Sequence, residues 1–86
     1  MKTIDFSRNA DNEIAVNVNS GVPRTLYNAT NLTIKPLATG AIVKLTDETW
    51  RQEISLTDTV TEAGVQKSPF ANVGALVTYL TGFFHN

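Results

Sequence analysis

The chain has 86 residues, of which seven are basic and eight acidic, giving a formal net charge of −1. It contains no cysteine, which excludes disulfide bonds, thiolate zinc sites and cysteine nucleophiles. The charges are scattered singly, so neither a basic patch for nucleic acid nor a polybasic segment for a membrane surface is predicted. We expect one domain over 1–86, whose small size limits its own stability and favours association.

The first part of the chain is predicted to form strands separated by polar turns. Apolar and polar residues alternate in Thr3–Phe6, and this alternation is clearest in Glu13–Asn19. The two segments therefore predict a hairpin with one solvent-exposed face. Arg24–Lys35 is rich in Thr and Asn and predicts one long bent strand or two, closed by Pro36. No apolar run of secretory length begins the sequence, so no signal peptide is expected.

The middle of the chain predicts a second hairpin. Ala41–Thr46 and Trp50–Thr57 are its strands, and Asp47–Thr49 is the polar loop between them. Asp58–Gln66 predicts a weak edge strand or a loop. The fold class is therefore α+β: a small antiparallel sheet or sandwich of about five to six strands, roughly 2–66, with one C-terminal amphipathic helix, roughly 69–84, packed on it. An all-β barrel with the helix as a lid is the alternative.

The C-terminal segment carries the pattern of a helix. Ser68 is suited to the N-cap and Pro69 to the first helical position, where a missing N–H has no effect. At about 100° per residue, the large apolar residues fall on one stripe that is predicted to face a core. These residues are Phe70, Val73, Leu76, Val77, Leu80, Phe83 and Phe84.

The opposite side of this helix is predicted to carry small, uncharged residues, where a solvated face is normally charged. The candidate interface residues on it are Ala71, Gly74, Ala75, Thr78 and Gly82. A glycine inside a helix destabilises the helix by about 1 kcal/mol relative to alanine. Two glycines on this face therefore indicate that another backbone approaches the helix closely there. We expect the small face to dock on another chain; coverage within the same subunit is the alternative. The segment is too short and too polar for a membrane span.

No catalytic constellation is predicted. His85 is the only histidine and lies next to the C-terminus, so a triad or a histidine metal cluster lacks partners, and neither a cofactor nor a metal is expected. Asp47 and Glu48 are adjacent in one loop and do not converge from separate elements. Trp50 and Tyr27 are aromatic residues expected in the core or in an interface. The sequence therefore predicts a protein that is not an enzyme.

The run from Ser68 to Leu80, preceded by strands rich in Thr and Asn, resembles small virion structural proteins of tailed bacteriophages, of the capsid auxiliary or decoration type and especially those infecting Bacteroidetes hosts. The resemblance covers this segment, the composition and the size, and it transfers no functional residues. It implies proteins that decorate the capsid, join it to fibres, or line tail and portal assemblies.

The expected function is therefore that of a non-enzymatic structural subunit, a head auxiliary, decoration or connector protein, acting through protein–protein contacts. Its partners would be copies of itself or other virion proteins such as a major capsid protein, with no nucleic acid and no membrane. Its location would be the virion after synthesis in the host cytoplasm, with a cytoplasmic protein as the alternative. A monomeric module that binds a small ligand or carbohydrate through Trp50 and Tyr27 is the alternative function.

Overall fold

The computed structural model describes residues 2–11, 13–22, 24–26, 32–46 and 50–84. In chain order, its elements are β1 (Thr3–Arg8), β2 (Ile14–Val18), β3 (Arg24–Leu26), β4 (Leu32–Pro36), β5 (Gly40–Leu45), β6 (Arg51–Ser55), β7 (Thr59–Glu62), β8 (Val65–Gln66) and α1 (Val73–Phe84). The α+β class predicted from the sequence is confirmed. The described part of the chain has eight strands in two sheets, which is more than the five to six expected.

The chain divides into two compact units, each built from two separate stretches of sequence. The first unit combines Met1–Tyr27 with Thr57–Pro69, and the second combines Asn28–Leu56 with Phe70–Asn86. Of the two alternatives predicted for Arg24–Lys35, the structure has two strands, since β3 belongs to one sheet and β4 to the other. The single domain expected over 1–86 stays a prediction.

The first unit contains a five-stranded sheet in the order β3-β2-β1-β7-β8. The predicted hairpin of β1 and β2 is confirmed, with Ile4 opposite Val18 and Phe6 opposite Val16. Strand alternation places the apolar side chains of neighbouring strands on one face of the sheet. The fully or almost fully buried residues of this face are Ile4, Phe6, Ile14, Val16 and Val60.

Strand β7 pairs in parallel with β1, with Ile4 opposite Val60 and Asp5 opposite Thr61. The expectation of a weak edge strand or loop over Asp58–Gln66 is therefore wrong for β7, which lies between β1 and β8 inside the sheet, and is confirmed for β8, a two-residue strand at the edge. The other described strand pairs are antiparallel, as the sequence predicts, and only this pair departs from that pattern. The stretch has few apolar residues, and its pairing depends on contacts with residues far away in the sequence.

The second unit contains an antiparallel three-stranded sheet in the order β4-β5-β6, and α1 contacts β4 and β5. The predicted hairpin of β5 and β6 is confirmed, with Ala41 opposite Ile54. Gly40 begins β5 where the chain passes close to β6, since a Cβ on Gly40 would lie 2.0 Å from the Ile54 carbonyl oxygen. The buried hydrophobic residues of this unit, within the described ranges, are Leu32, Ala41, Ile42, Val43, Trp50, Ile54, Leu76, Leu80, Phe83 and Phe84.

Helix α1 begins at Val73, four residues later than predicted. Asn72 is the N-cap, because its Oδ1 accepts a hydrogen bond from the Ala75 amide at 2.8 Å. Ser68 does not cap the helix: its Oγ accepts a bond from the Val60 amide of β7 at 2.9 Å. Pro69 accordingly lies outside the helix. The cap predicted at Ser68 is wrong because the Ser68 hydroxyl group accepts a hydrogen bond from β7.

Candidate functional site

The exposed side of α1 is the small-residue face predicted from the sequence. Gly74, Thr78 and Gly82 are all exposed and follow one another at intervals of four residues, which places them along one line of the helix. Ala75 is half-buried at the border of this face. Ala71 is exposed but precedes the helix, so its placement on the helical face was wrong. We call Gly74, Thr78 and Gly82 the small face.

The small face carries no charge at either end of the helix. The first turn has no acidic residue and the last turn has no basic residue. Isolated helices in water are normally supported by such charges, because they offset the partial charges of the helix ends. The stability of α1 therefore depends on its packed side, where Leu76 and Leu80 are completely buried.

The two glycines of the small face differ in what surrounds them. A Cβ on Gly74 would lie 3.2 Å from Oδ1 of Asn72, the oxygen that caps the helix. A Cβ on Gly82 would meet nothing within 4 Å. Packing of the described chain therefore gives a partial reason for glycine at 74 and none at 82, where alanine would stabilise the helix.

A cluster of aromatic rings adjoins the packed side of the helix. The ring centroid of Tyr79 lies 5.5 Å from that of Phe70 and 6.3 Å from that of Phe83, and Phe83 meets Phe84 edge to face at 5.4 Å. These distances are those of favourable aromatic pairs. The cluster fixes the C-terminal turns of α1, so the small face is presented by a firmly anchored helix.

Trp50, the other described member of the predicted site, lies in the second unit just before β6. Its side chain is largely buried, with 8% of the residue exposed, and it forms part of the wall of a pocket of about 400 Å³. The pocket is lined by Lys35, Ile42, Lys44, Trp50 and Arg51. Tyr27 and His85, the other aromatic candidate and the one histidine of the sequence, lie outside the described residues.

The pocket gathers basic side chains from three strands. Lys35 of β4 is opposite Ile42 of β5, and Lys44 of β5 is opposite Arg51 of β6. Because directly opposed residues and residues two apart share a sheet face, all of these side chains lie on the same side of the sheet. Nη2 of Arg51 lies 3.7 Å from Oε2 of Glu53, and both side chains are more than 60% exposed.

This basic pocket was missed in the sequence, where the three cations appear singly. Each cation lies next to at least one apolar residue: Lys35 follows Ile34, Lys44 lies between Val43 and Leu45, and Arg51 follows Trp50. Alternation alone therefore assigns each one to the polar face of its strand. The register of the two strand pairs, which alternation does not fix, is what brings them together.

Within the described ranges, no group of three or more His, Cys, Asp and Glu side chains is arranged to hold a metal ion. None of the helices formed by these residues combines the length and the hydrophobicity needed to cross a bilayer.

Comparisons with known proteins give no relatives from which a function can be transferred. No protein-family model matches the chain, and neither a curated protein nor a solved structure matches it significantly.

Proposed function

We propose that this protein is a non-enzymatic structural subunit that assembles through the small face of α1 with copies of itself or with another protein. The observation that carries the proposal is the exposed glycine at position 82, around which the described chain leaves open space. An exposed helical glycine destabilises a monomer by about 1 kcal/mol relative to alanine. A helix or strand of another chain packed closely against α1 would explain why glycine, and not alanine, occupies position 82.

The chemistry of the small face supports a protein partner. Gly74, Thr78 and Gly82 offer a smooth, uncharged surface with one hydroxyl group, so its burial desolvates no charge. Depletion of charge is characteristic of the buried centre of protein interfaces. Small side chains also allow the helix backbone of one chain to approach the surface of another closely.

The resemblance to virion proteins of tailed bacteriophages supports a more specific role. We propose a head auxiliary, decoration or connector protein that resides in the virion and binds a major capsid protein or further copies of this chain. A small β-rich subunit with an uncharged helix is suited to repeated contacts in such a shell.

The experiment is a measurement of native mass by light scattering over a concentration series, for the chain alone and with candidate capsid proteins. Gly82→Leu is the test variant, because a leucine there fits the open space of the monomer but obstructs a close partner. Lys67→Leu is the control, since it adds an exposed leucine outside the helix. Circular dichroism verifies that both variants fold.

We expect a concentration-dependent oligomer or capsid-protein complex for the wild type and for Lys67→Leu, and loss of at least tenfold in apparent affinity for Gly82→Leu. A wild-type chain that stays monomeric and binds no capsid protein would contradict the assembly role. Equal association by Gly82→Leu would contradict the assignment of the interface to the small face.

A further inference from the structure

We propose that strand β6 pairs with β6 of a second copy of this chain, so that two three-stranded sheets continue into one antiparallel sheet of six strands. The contact uses residues separate from the small face and therefore goes beyond the assembly proposed above. Strand β6 ends the order β4-β5-β6 and pairs with no second strand in the described part of the chain. An edge strand of this kind offers its main-chain groups to a strand of another chain.

The main-chain groups of Arg51 and Glu53 point away from β5. In the antiparallel pair of β5 and β6, the Leu45 amide donates to the Trp50 carbonyl oxygen at 3.0 Å. Residues along such a strand alternate between those that bond to the partner strand and those that do not. Gln52 therefore faces β5, whereas Arg51 and Glu53 face the open edge. The Gln52 side chain reaches this edge, since its Nε2 donates to the Glu53 carbonyl oxygen at 2.9 Å, and that oxygen keeps a second lone pair for another chain.

Antiparallel pairing centred on Gln52 makes the strand complementary to itself. It places Arg51 of each copy directly opposite Glu53 of the other copy. Because both residues face the open edge, each of these two pairs can exchange two main-chain hydrogen bonds. Directly opposed Cβ atoms lie about 4.5 to 5.5 Å apart, so two cross-strand ion pairs form as well. The same register therefore satisfies both the hydrogen bonds and the charges.

Charge selects this register over its neighbours. A shift of two residues in one direction places Arg51 opposite Arg51, and a shift of two in the other direction places Glu53 opposite Glu53. Like charges that are directly opposite destabilise a strand pair. A shift of one residue opposes an outward-facing residue to an inward-facing one and exchanges the two faces of the sheet. Arg51–Ser55 carries no other charge, so only the register centred on Gln52 pairs opposite charges within the strand.

The ion pair inside β6 does little to oppose this exchange of partners. Nη2 of Arg51 lies 3.7 Å from Oε2 of Glu53 in the same chain, and the two side chains are 61% and 62% exposed. An exposed and long pair of this kind contributes little to stability. A contact between two five-residue strands covers less than the roughly 1,200 to 2,000 Å² of a stable complex. We therefore expect a weak dimer that adds to the contacts of an assembly through avidity.

The experiment measures native mass by light scattering up to millimolar concentration, with every chain carrying Gly82→Leu to obstruct the small face. Arg51→Glu and Glu53→Arg each place like charges opposite one another and should weaken self-association at least about tenfold. An equimolar mixture of the two variants should associate again, because one copy then carries two acidic residues and the other two basic residues at these positions. Circular dichroism verifies that each variant folds.

Lys67→Glu is the matched control, since it changes the net charge as much as Arg51→Glu but at an exposed residue of the first unit. It should associate as strongly as the chain that carries Gly82→Leu alone. An equal loss in Lys67→Glu would show an effect of bulk charge and overturn the pairing of β6. A mixture of Arg51→Glu and Glu53→Arg that associates no better than either variant would overturn it too.

Amide hydrogen exchange locates the contact within the strand. The amides of Arg51 and Glu53 should gain protection as the protein concentration rises, whereas the Gln52 amide, which faces β5, should be protected at every concentration. Absence of association at millimolar concentration, or association without protection of Arg51 and Glu53, would overturn the proposal. Since all chains compared here carry Gly82→Leu, these outcomes are independent of whether the small face is an interface.

Discussion

Lys2 holds Asp58 at two points: its backbone amide donates to Oδ1 at 3.1 Å, and its ammonium group donates to Oδ2 at 2.8 Å. Asp58 is 6% exposed, which makes it the one buried charged residue in the described part of the chain. The Thr59 amide in turn donates to the Lys2 carbonyl oxygen. These bonds join the starts of β1 and β7 and set the parallel register between them.

Asp58→Asn should therefore lower the free energy of unfolding by about 2 to 3 kcal/mol, because a half-buried ammonium group loses its charged acceptor. Denaturant unfolding measures the change. Glu53→Gln is the control, since the Arg51–Glu53 pair is exposed and long, and its loss should alter stability by less than about 0.5 kcal/mol. Equal effects of the two substitutions would contradict a structural role for the buried pair.

Asn72→Ala should destabilise the protein by about 1 kcal/mol, because the Ala75 amide loses the oxygen that caps α1. Hydrogen exchange locates the effect: the amide of Ala75 should lose protection. Ser68→Ala is the matched control and should instead expose the amide of Val60, since the Ser68 hydroxyl serves β7. Loss of protection at the start of the helix in Ser68→Ala would contradict the cap at Asn72 and support the cap at Ser68 predicted from the sequence.

The two hairpins and the class of fold are predictable because alternation within each strand and the short connections between strands are local properties. The position of β7 in the sheet cannot be predicted in this way, because its partner β1 is more than fifty residues away in the sequence. Its pairing also depends on the buried contact of Lys2 with Asp58. The small face follows from helical periodicity alone. The basic pocket depends on the register of three strands, so its members look unrelated in the sequence.

Gly82→Ala and Gly40→Ala should have opposite effects on stability. A methyl group at position 82 enters open space, so the helix should gain about 0.5 to 1 kcal/mol. A methyl group at position 40 would lie 2.0 Å from the Ile54 carbonyl oxygen, so β5 and β6 must separate, at a cost of about 3 kcal/mol or more. Thermal unfolding of both variants measures this. Destabilisation by Gly82→Ala would show that the monomer itself needs the glycine.

Both residues of the turn between β7 and β8 have positive φ angles, 50° at Ala63 and 84° at Gly64. Such a two-residue hairpin loop favours Asn or Gly at its first position, whereas alanine is strained there. Ala63 is exposed, so its side chain adds little packing, and Ala63→Asn should raise the free energy of unfolding by about 0.5 to 1 kcal/mol. Ala63→Val should lower it by about 1 kcal/mol, since a β-branched residue tolerates positive φ poorly. Urea unfolding of the pair tests the turn directly, and equal stability of the two variants would contradict a strained alanine at this position.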